Sequence, residues 1–420
     1  MGENIRDTFL NELGAFYATG VMPHKVSINM RHALNEHRQR LMSRGITYSE
    51  QFLPNGDTRA SSSAWGNGKF KMTNSSKHCN AVTSMTNGVT GIKCDEAKDD
   101  VVHCHVIDIN ESASSNDEDM MMECPNCGHA AMAKVFVDGC PSCGTRFQMS
   151  DFYPCVNTYY SMPWPLPKTN WVEVAVRRAI KIGIIVGIIV GIITAFVMFF
   201  GGSNPILTLI VPIAVALLVG WATFLISYLI GQGVATVQTV GGLAKVAVNT
   251  LDMAGARDSR RKAEEAIRPY DPDFSFDVFE GKIISSIRTI AFSNNRANCC
   301  LYEGADPLVF MNDLVDIRYR GACKFENATL IGDYLHVVMT AFLDNVFYVN
   351  GQFGRVRENF TVELVRQKDV RTPVQFSAYS ANCPSCGGTF DAVLSKQCPY
   401  CGHRYDHTIH DWTVIRLVKS

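Results

Sequence analysis

IGIIVGIIVGIITAFVMFF (residues 182–200) and PILTLIVPIAVALLVGWATFLISYLI (residues 205–230) are two apolar runs without a charged residue. At about 1.5 Å of rise per residue each would be roughly 28–38 Å long as a helix. A bilayer core is roughly 30 Å thick. Between them Gly201-Gly202-Ser203-Asn204-Pro205 is a chain breaker with turn chemistry. Residues 179–230 therefore read as a transmembrane hairpin, because a soluble core helix of this length keeps a polar face.

The flanks orient it. Arg177, Arg178 and Lys181 precede the first span, and Lys245, Arg257, Arg260, Arg261 and Lys262 follow the second, while the turn is uncharged. By the positive-inside rule this predicts a two-pass protein of the cell (inner) membrane with both termini cytoplasmic. Gly183, Gly187 and Gly191 fall on one helix face, which suits close approach of the second span or of another copy. Neither span holds an ionisable residue, which argues against a proton relay or ion path.

The chain has 420 residues, a formal net charge of −1 and 15 cysteines. The balance gives no bias towards nucleic acid. Met1 to Gly20 shows no signal-peptide core, and Arg6 breaks a myristoylation motif at Gly2. Eight cysteines form four Cys-Pro-x-Cys pairs. Cys124/Cys127 and Cys140/Cys143 are separated by twelve residues, and Cys383/Cys386 and Cys398/Cys401 by eleven. Two such knuckles facing each other make a tetrahedral sulfur shell, so residues 121–150 and 381–405 read as two zinc ribbons. Four protein ligands leave no open position, which makes the zinc ions structural; iron is the alternative metal. Proline inside each pair and the lack of His-x-Glu separate both sites from zinc deaminases.

The rest is read around these landmarks. Met1 to Gly45 looks helical, with Met30, Leu34, His37 and Leu41 on one face. Residues 1–120 continue as a Ser/Asn-rich weak β region or linker, in which Cys79, Cys94, Cys104, His78, His103 and His105 match no compact metal knuckle. His24, His32 and His37 read as solvated or half-buried. Residues 151–178 read as a Pro/aromatic connector with Tyr160, Trp164 and Trp171 at the interface. Residues 231–268 are juxtamembrane, and Arg257, Arg260, Arg261 and Lys262 are candidates for lipid headgroups.

In residues 269–420, Asp271 or Ser275 opens a helix whose apolar stripe is Phe276, Phe279, Ile283, Ile287 and Ile290. A short helix over Ala305 to Asn312 and about five strands come after it, with Asn350-Gly351 as a hairpin turn. Helices before strands predict an α+β domain with an antiparallel sheet. Phe274, Phe276, Phe279, Ile283 and Ile287 are the candidates for an apolar ligand pocket.

The phrase Asp271-Pro-Asp-Phe-Ser-Phe-Asp-Val-Phe279, its amphipathic helix and the later strands resemble the Tim-forty-four-like domain family. The order of zinc ribbon, hairpin, domain and second ribbon is similar to bacterial zinc-ribbon members described as putative transport proteins. The resemblance implies a cystatin- or nuclear-transport-factor-two-like fold, membrane association, a role in handling polypeptide or lipid, and no catalytic residues. The expected function is a non-enzymatic membrane-anchored adaptor or scaffold with lipid and an unidentified protein as partners. A membrane-tethered nucleic-acid-binding or regulatory protein, and an oligomeric transporter or channel component, are the alternatives. No nucleophile elbow, phosphate loop or open metal site is present to support catalysis.

Overall fold

The computed structural model describes residues 2–55, 60–67, 70–109, 121–124, 129–136, 140–142, 153–163, 171–202, 204–251, 254–256, 258–370, 380–383, 385–391, 395–409 and 411–420. The chain forms two units: residues 1–163 with 253–420, and residues 164–252.

The larger unit begins with α1 (Gly2–Thr19) and α2 (Ile28–Ser43). The Ser27 hydroxyl caps α2 by accepting from the Met30 amide at 3.3 Å. Gly45 comes just after the helix at φ +64°. Met30, Leu34 and Leu41 are buried, as their spacing predicts, and His37, expected to be solvated or half-buried, is buried with them. Next come β1 (Ile46–Leu53), β2 (Ala60–Asn67), β3 (Phe70–Asn87) and β4 (Lys93–Ile109). A small hairpin, β5 (Met121–Glu123) and β6 (Ala130–Met132), precedes β7 (Cys155–Pro163). The order β1-β3-β4-β7 is antiparallel throughout, and β2 shares with β1 one edge of the long β3. The Ser/Asn-rich segment thus builds a real sheet, and Cys155–Pro163 of the expected connector is its strand β7.

The smaller unit is a helical hairpin, α3 (Trp171–Phe200) and α4 (Pro205–Leu251). Gly202 turns the chain at φ +71°. Val176–Phe200 and Pro205–Gly231 are long and apolar enough to cross a membrane. Their outward side chains are bare: Ile184 is 57 % exposed, Phe196 64 %, Leu217 69 % and Trp221 63 %. Hydroxyls within them are satisfied inside their own helices, Thr194 on Val190 O at 2.8 Å and Thr223 on Val219 O at 2.7 Å.

Back in the larger unit, α5 (Ser259–Ile267) leads to α6 (Phe276–Phe292), with Ser275 at its N-cap position. Then come β8 (Leu314–Ile331), β9 (Tyr334–Val349) and β10 (Gln352–Gln367). A second small hairpin, β11 (Ser380–Asn382) and β12 (Thr389–Asp391), precedes β13 (Thr413–Lys419). The antiparallel order is β13-β10-β9-β8. Asn350 at φ +50° and Gly351 at φ +80° make the predicted tight turn between β9 and β10. The short helix expected over 305–312 is a single turn, Val309–Met311. The fold is thus α+β with antiparallel sheets and two long apolar helices.

One core runs through α5, α6, the second sheet, Tyr160 of β7 and the Cys383–Tyr405 region. Phe276, Phe279, Ile283, Ile287 and Ile290 all lie within it, at 5 % exposure or less. At about 1.5–3 kcal/mol per fully buried side chain, that stripe supplies a large part of the hydrophobic stabilisation of this half. A second cluster, Leu41, Ile46, Tyr48 and Met85 with Val315 and Val346, joins the two sheets. His37 stacks on Phe292 at 4.5 Å, hydrogen-bonds the Tyr17 hydroxyl through Nδ1 at 2.9 Å and donates from Nε2 to Val315 O at 2.8 Å. Burial lowers its pKa, partly opposed by Asp316 and the Val315 carbonyl. Residues 1–163 and 253–420 consequently share one interior.

Candidate metal centre

A Cys-x-x-Cys knuckle needs its backbone to turn sharply after the second cysteine. Gly387 and Gly402 make that turn at φ +71° and +75°, a region that side chains other than glycine disfavour. The bonds are the same in both. Cys383 N donates to Gly388 O at 3.0 Å and Gly387 N to Cys383 O at 2.8 Å. Cys398 N donates to His403 O at 2.8 Å and Gly402 N to Cys398 O at 2.8 Å. The two loops face each other and bring the sulfurs of Cys383, Cys386, Cys398 and Cys401 within 4.8 Å of one another. Across the loops Cys383 Sγ lies 3.4 Å from Cys401 Sγ, and Cys386 Sγ 3.6 Å from Cys398 Sγ. A tetrahedral zinc with bonds of about 2.3 Å would set its sulfurs about 3.8 Å apart, so the quartet fits such an ion with slight expansion. This cluster can hold a metal ion, and its donor set is compatible with zinc.

As thiols the four compete for protons. Burial raises Cys383, but the amides of Cys386 and Ser385 and the neighbouring thiols outweigh it and bring the group down to about 6. Cys386 is lowered by the Gly388 amide, yet hydrogen bonds with the surrounding thiols push it up to about 12. A cation that takes thiolates would relieve that competition.

The residues expected to form the first ribbon are described in part. Cys124 and Cys140 are buried; Cys127 and Cys143 lie outside the described residues. Cys124 N donates to His129 O at 2.9 Å, the same bond at the same spacing as in the two knuckles of the second ribbon. The strand hairpin β5–β6 brackets Cys124 as β11–β12 brackets Cys383. Strands β6 and β11 lie beside each other, so the two small hairpins are neighbours.

The remaining site candidates scatter. Gly183, Gly187 and Gly191 pack against α4 of the same chain. A Cβ would stand 2.8 Å from Gly220 O at position 183, 2.7 Å from Ala216 O at 187 and 2.8 Å from Ala216 Cβ at 191. Ala216 and Gly220 complete the seam; they too are small residues four apart, the one signal in the second span that could have marked it as the partner. Beside the seam, a groove of about 480 Å³ is lined by Ile184, Ile188, Leu217, Trp221 and Phe224.

Phe274, Phe276, Phe279, Ile283 and Ile287 are interior at 0–5 % exposure. All five belong to the core cluster of this half, where the same apolar spacing packs them against the sheet and its neighbours. Arg257 lies outside the described residues. Arg260 is drawn inward, its guanidinium 4.7 Å over the Trp65 ring and paired with the buried Asp277. Arg261 pairs with Glu265 at 3.1 Å, and Lys262 is exposed. His78 bonds Asp99, His103 stacks on Tyr160 at 4.9 Å, and His105 lies 3.8 Å from Glu280. Among the described residues the quartet at 383–401 is the one cluster with metal-ligand geometry.

Compared with family models, curated proteins and solved structures, the chain matches none of them.

Proposed function

We propose that this chain is a hairpin-anchored membrane protein whose larger unit serves as a non-enzymatic adaptor or scaffold on the cytoplasmic side. The observation that carries the reading is the surface of α3 and α4. Between residues 182 and 230 their glycine faces are buried against each other, and the large side chains they expose are apolar, mostly Ile, Leu, Val and Phe. Water does not tolerate such a surface on a monomer, whereas hydrocarbon does. The basic residues flanking the hairpin favour both ends in the cytoplasm.

Each ribbon takes one structural zinc in this reading. The matching backbone bond of Cys124 supports extending it to the first ribbon. One long helix against a four-stranded antiparallel sheet is in keeping with a cystatin- or nuclear-transport-factor-two-like half, and with the Tim-forty-four-like resemblance. That resemblance points to polypeptide or lipid as the cargo class. With Phe276 and its neighbours interior, the binding surface lies elsewhere than their stripe.

Alkaline carbonate washing of membranes tests the anchor. The full chain should stay in the pellet until detergent is added; release by carbonate alone overturns the reading. Metal analysis of the detergent-purified chain should find about two zinc equivalents, and iron in their place would change the metal assignment.

A further inference from the structure

We infer that the second ribbon is a metal-dependent clasp on the open edge of the larger unit's β8–β10/β13 sheet. Strand β13 is the edge strand, bonded to β10 on one side. Its other side is covered by residues 301–304. Val414 N donates to Leu301 O at 2.9 Å, and Glu303 N donates to Val414 O at 2.9 Å. Gly304 lies so close that a Cβ there would meet Ile415 O at 2.5 Å. This cover is short and irregular, and an uncovered edge strand is a template for another chain.

The ribbon holds the cover down. Lys396, two residues before Cys398, donates to Tyr302 O at 2.6 Å and pairs with Glu303 at 3.3 Å. Arg404, just beyond the same knuckle, pairs with Glu303 at 3.1 Å. Lys396 and Arg404 therefore grip Glu303 from both ends of one metal loop. Tyr405 N donates to Lys396 O at 2.7 Å and closes the base of that loop. Cys383, Phe390, Cys398 and Tyr405 also share the core with Trp412 and Val414. The loop's shape depends on its sulfurs being held together, so the metal is coupled through Glu303 to the edge. In a small module of this kind the metal supplies most of the folding free energy.

The proposal rests on the metal reading of the quartet, and one experiment separates the two. The full chain in detergent is purified with its metal, assayed for zinc, and followed by amide hydrogen exchange before and after treatment with a chelator. The expected result is exchange faster by roughly tenfold or more over residues 413–419 and 301–304, with β3 and β4 unchanged. Glu303→Gln, with its metal retained, should loosen the same amides, and Gly304→Ala should do so from the other side. Metal present but β13 unmoved by chelation overturns the clasp and leaves the metal reading standing. Absence of metal from the purified chain overturns both. Uniform unfolding after chelation also overturns the clasp, since the effect would then not be local to the edge.

Discussion

Glu280 sits where the two sheets meet α6, fully enclosed. Its carboxyl accepts from the Tyr319 hydroxyl at 2.6 Å, and His105 lies 3.8 Å away. Burial, partly opposed by the Tyr319 bond and reinforced by Asp277, raises its pKa from 4.5 to about 7. The folded state then holds a proton that the unfolded chain has already released between those two values. Stability from this group is fully present below about 4.5 and declines as pH rises to about 7, by about 3 kcal/mol in total. His105, pushed by burial to about 3, works in the opposite direction below its ordinary range. Only a difference measurement isolates Glu280. Denaturant unfolding of wild type and Glu280→Gln between pH 5 and 8 should show wild type losing stability relative to the variant as pH rises. Parallel pH profiles would refute the assignment. Burial of this kind cannot be read from position 280, which looks like an ordinary polar site on an apolar helix.

Elements bury one another according to how closely they approach. In the hairpin the approach is set by hydrogen atoms where side chains would be. A Cβ at Gly187 would lie 2.7 Å from Ala216 O and 3.2 Å from Gly220 Cα. Gly187→Val must therefore push α3 and α4 apart, at a cost of about 1–3 kcal/mol from overpacking. The variant should unfold at lower temperature in detergent than wild type, while Ile189→Val, on a face that is 51 % exposed, should not. Equal melting of the two would mean the seam is not closely packed. The existence of both apolar helices and of the glycine stripe was legible in the sequence, because length and composition carry that information locally. The choice of α4 as the partner of the stripe was not, since a second copy satisfies the same pattern. The same limit applies to β8. Val315, Ile317 and Tyr319 alternate with Asp316, Arg318 and Arg320 as a half-buried strand should. Yet Asp316 is only 4 % exposed and Arg318 bonds Glu96 of β4 at 2.5 Å, because the N-terminal sheet covers the polar face.

At the scale of the whole molecule, residues 1–163 and 253–420 unfold together if their shared interior is what stabilises them. Leu41, Tyr48 and Met85 pack with Val315 and Val346, and Arg318 and Arg355 both pair with Glu96, whose carboxyl is pulled down to about 2 by Arg355, Lys98 and Arg318 against burial. Thermal unfolding of the larger unit should be one transition, and residues 253–420 expressed alone should bind a hydrophobic dye and melt broadly. A sharp, independent melt of that fragment would show the halves to be separate domains. By itself the sequence determined the features carried by short-range pattern: the two apolar helices, the two Cys-Pro-x-Cys turns that end at Gly387 and Gly402, the α6 stripe, and the Asn350-Gly351 turn. These need only neighbours within a few residues, or a spacing that repeats. Tertiary structure alone decided that β1–β4 and β7 form one packed sheet with α1 and α2 against it, that Phe276 is buried in the core cluster, and that Lys396 and Arg404 reach Glu303. Each of those depends on contacts between residues far apart in the chain, where polar, Ser- and Asn-rich strands become stable only once a second sheet removes them from water.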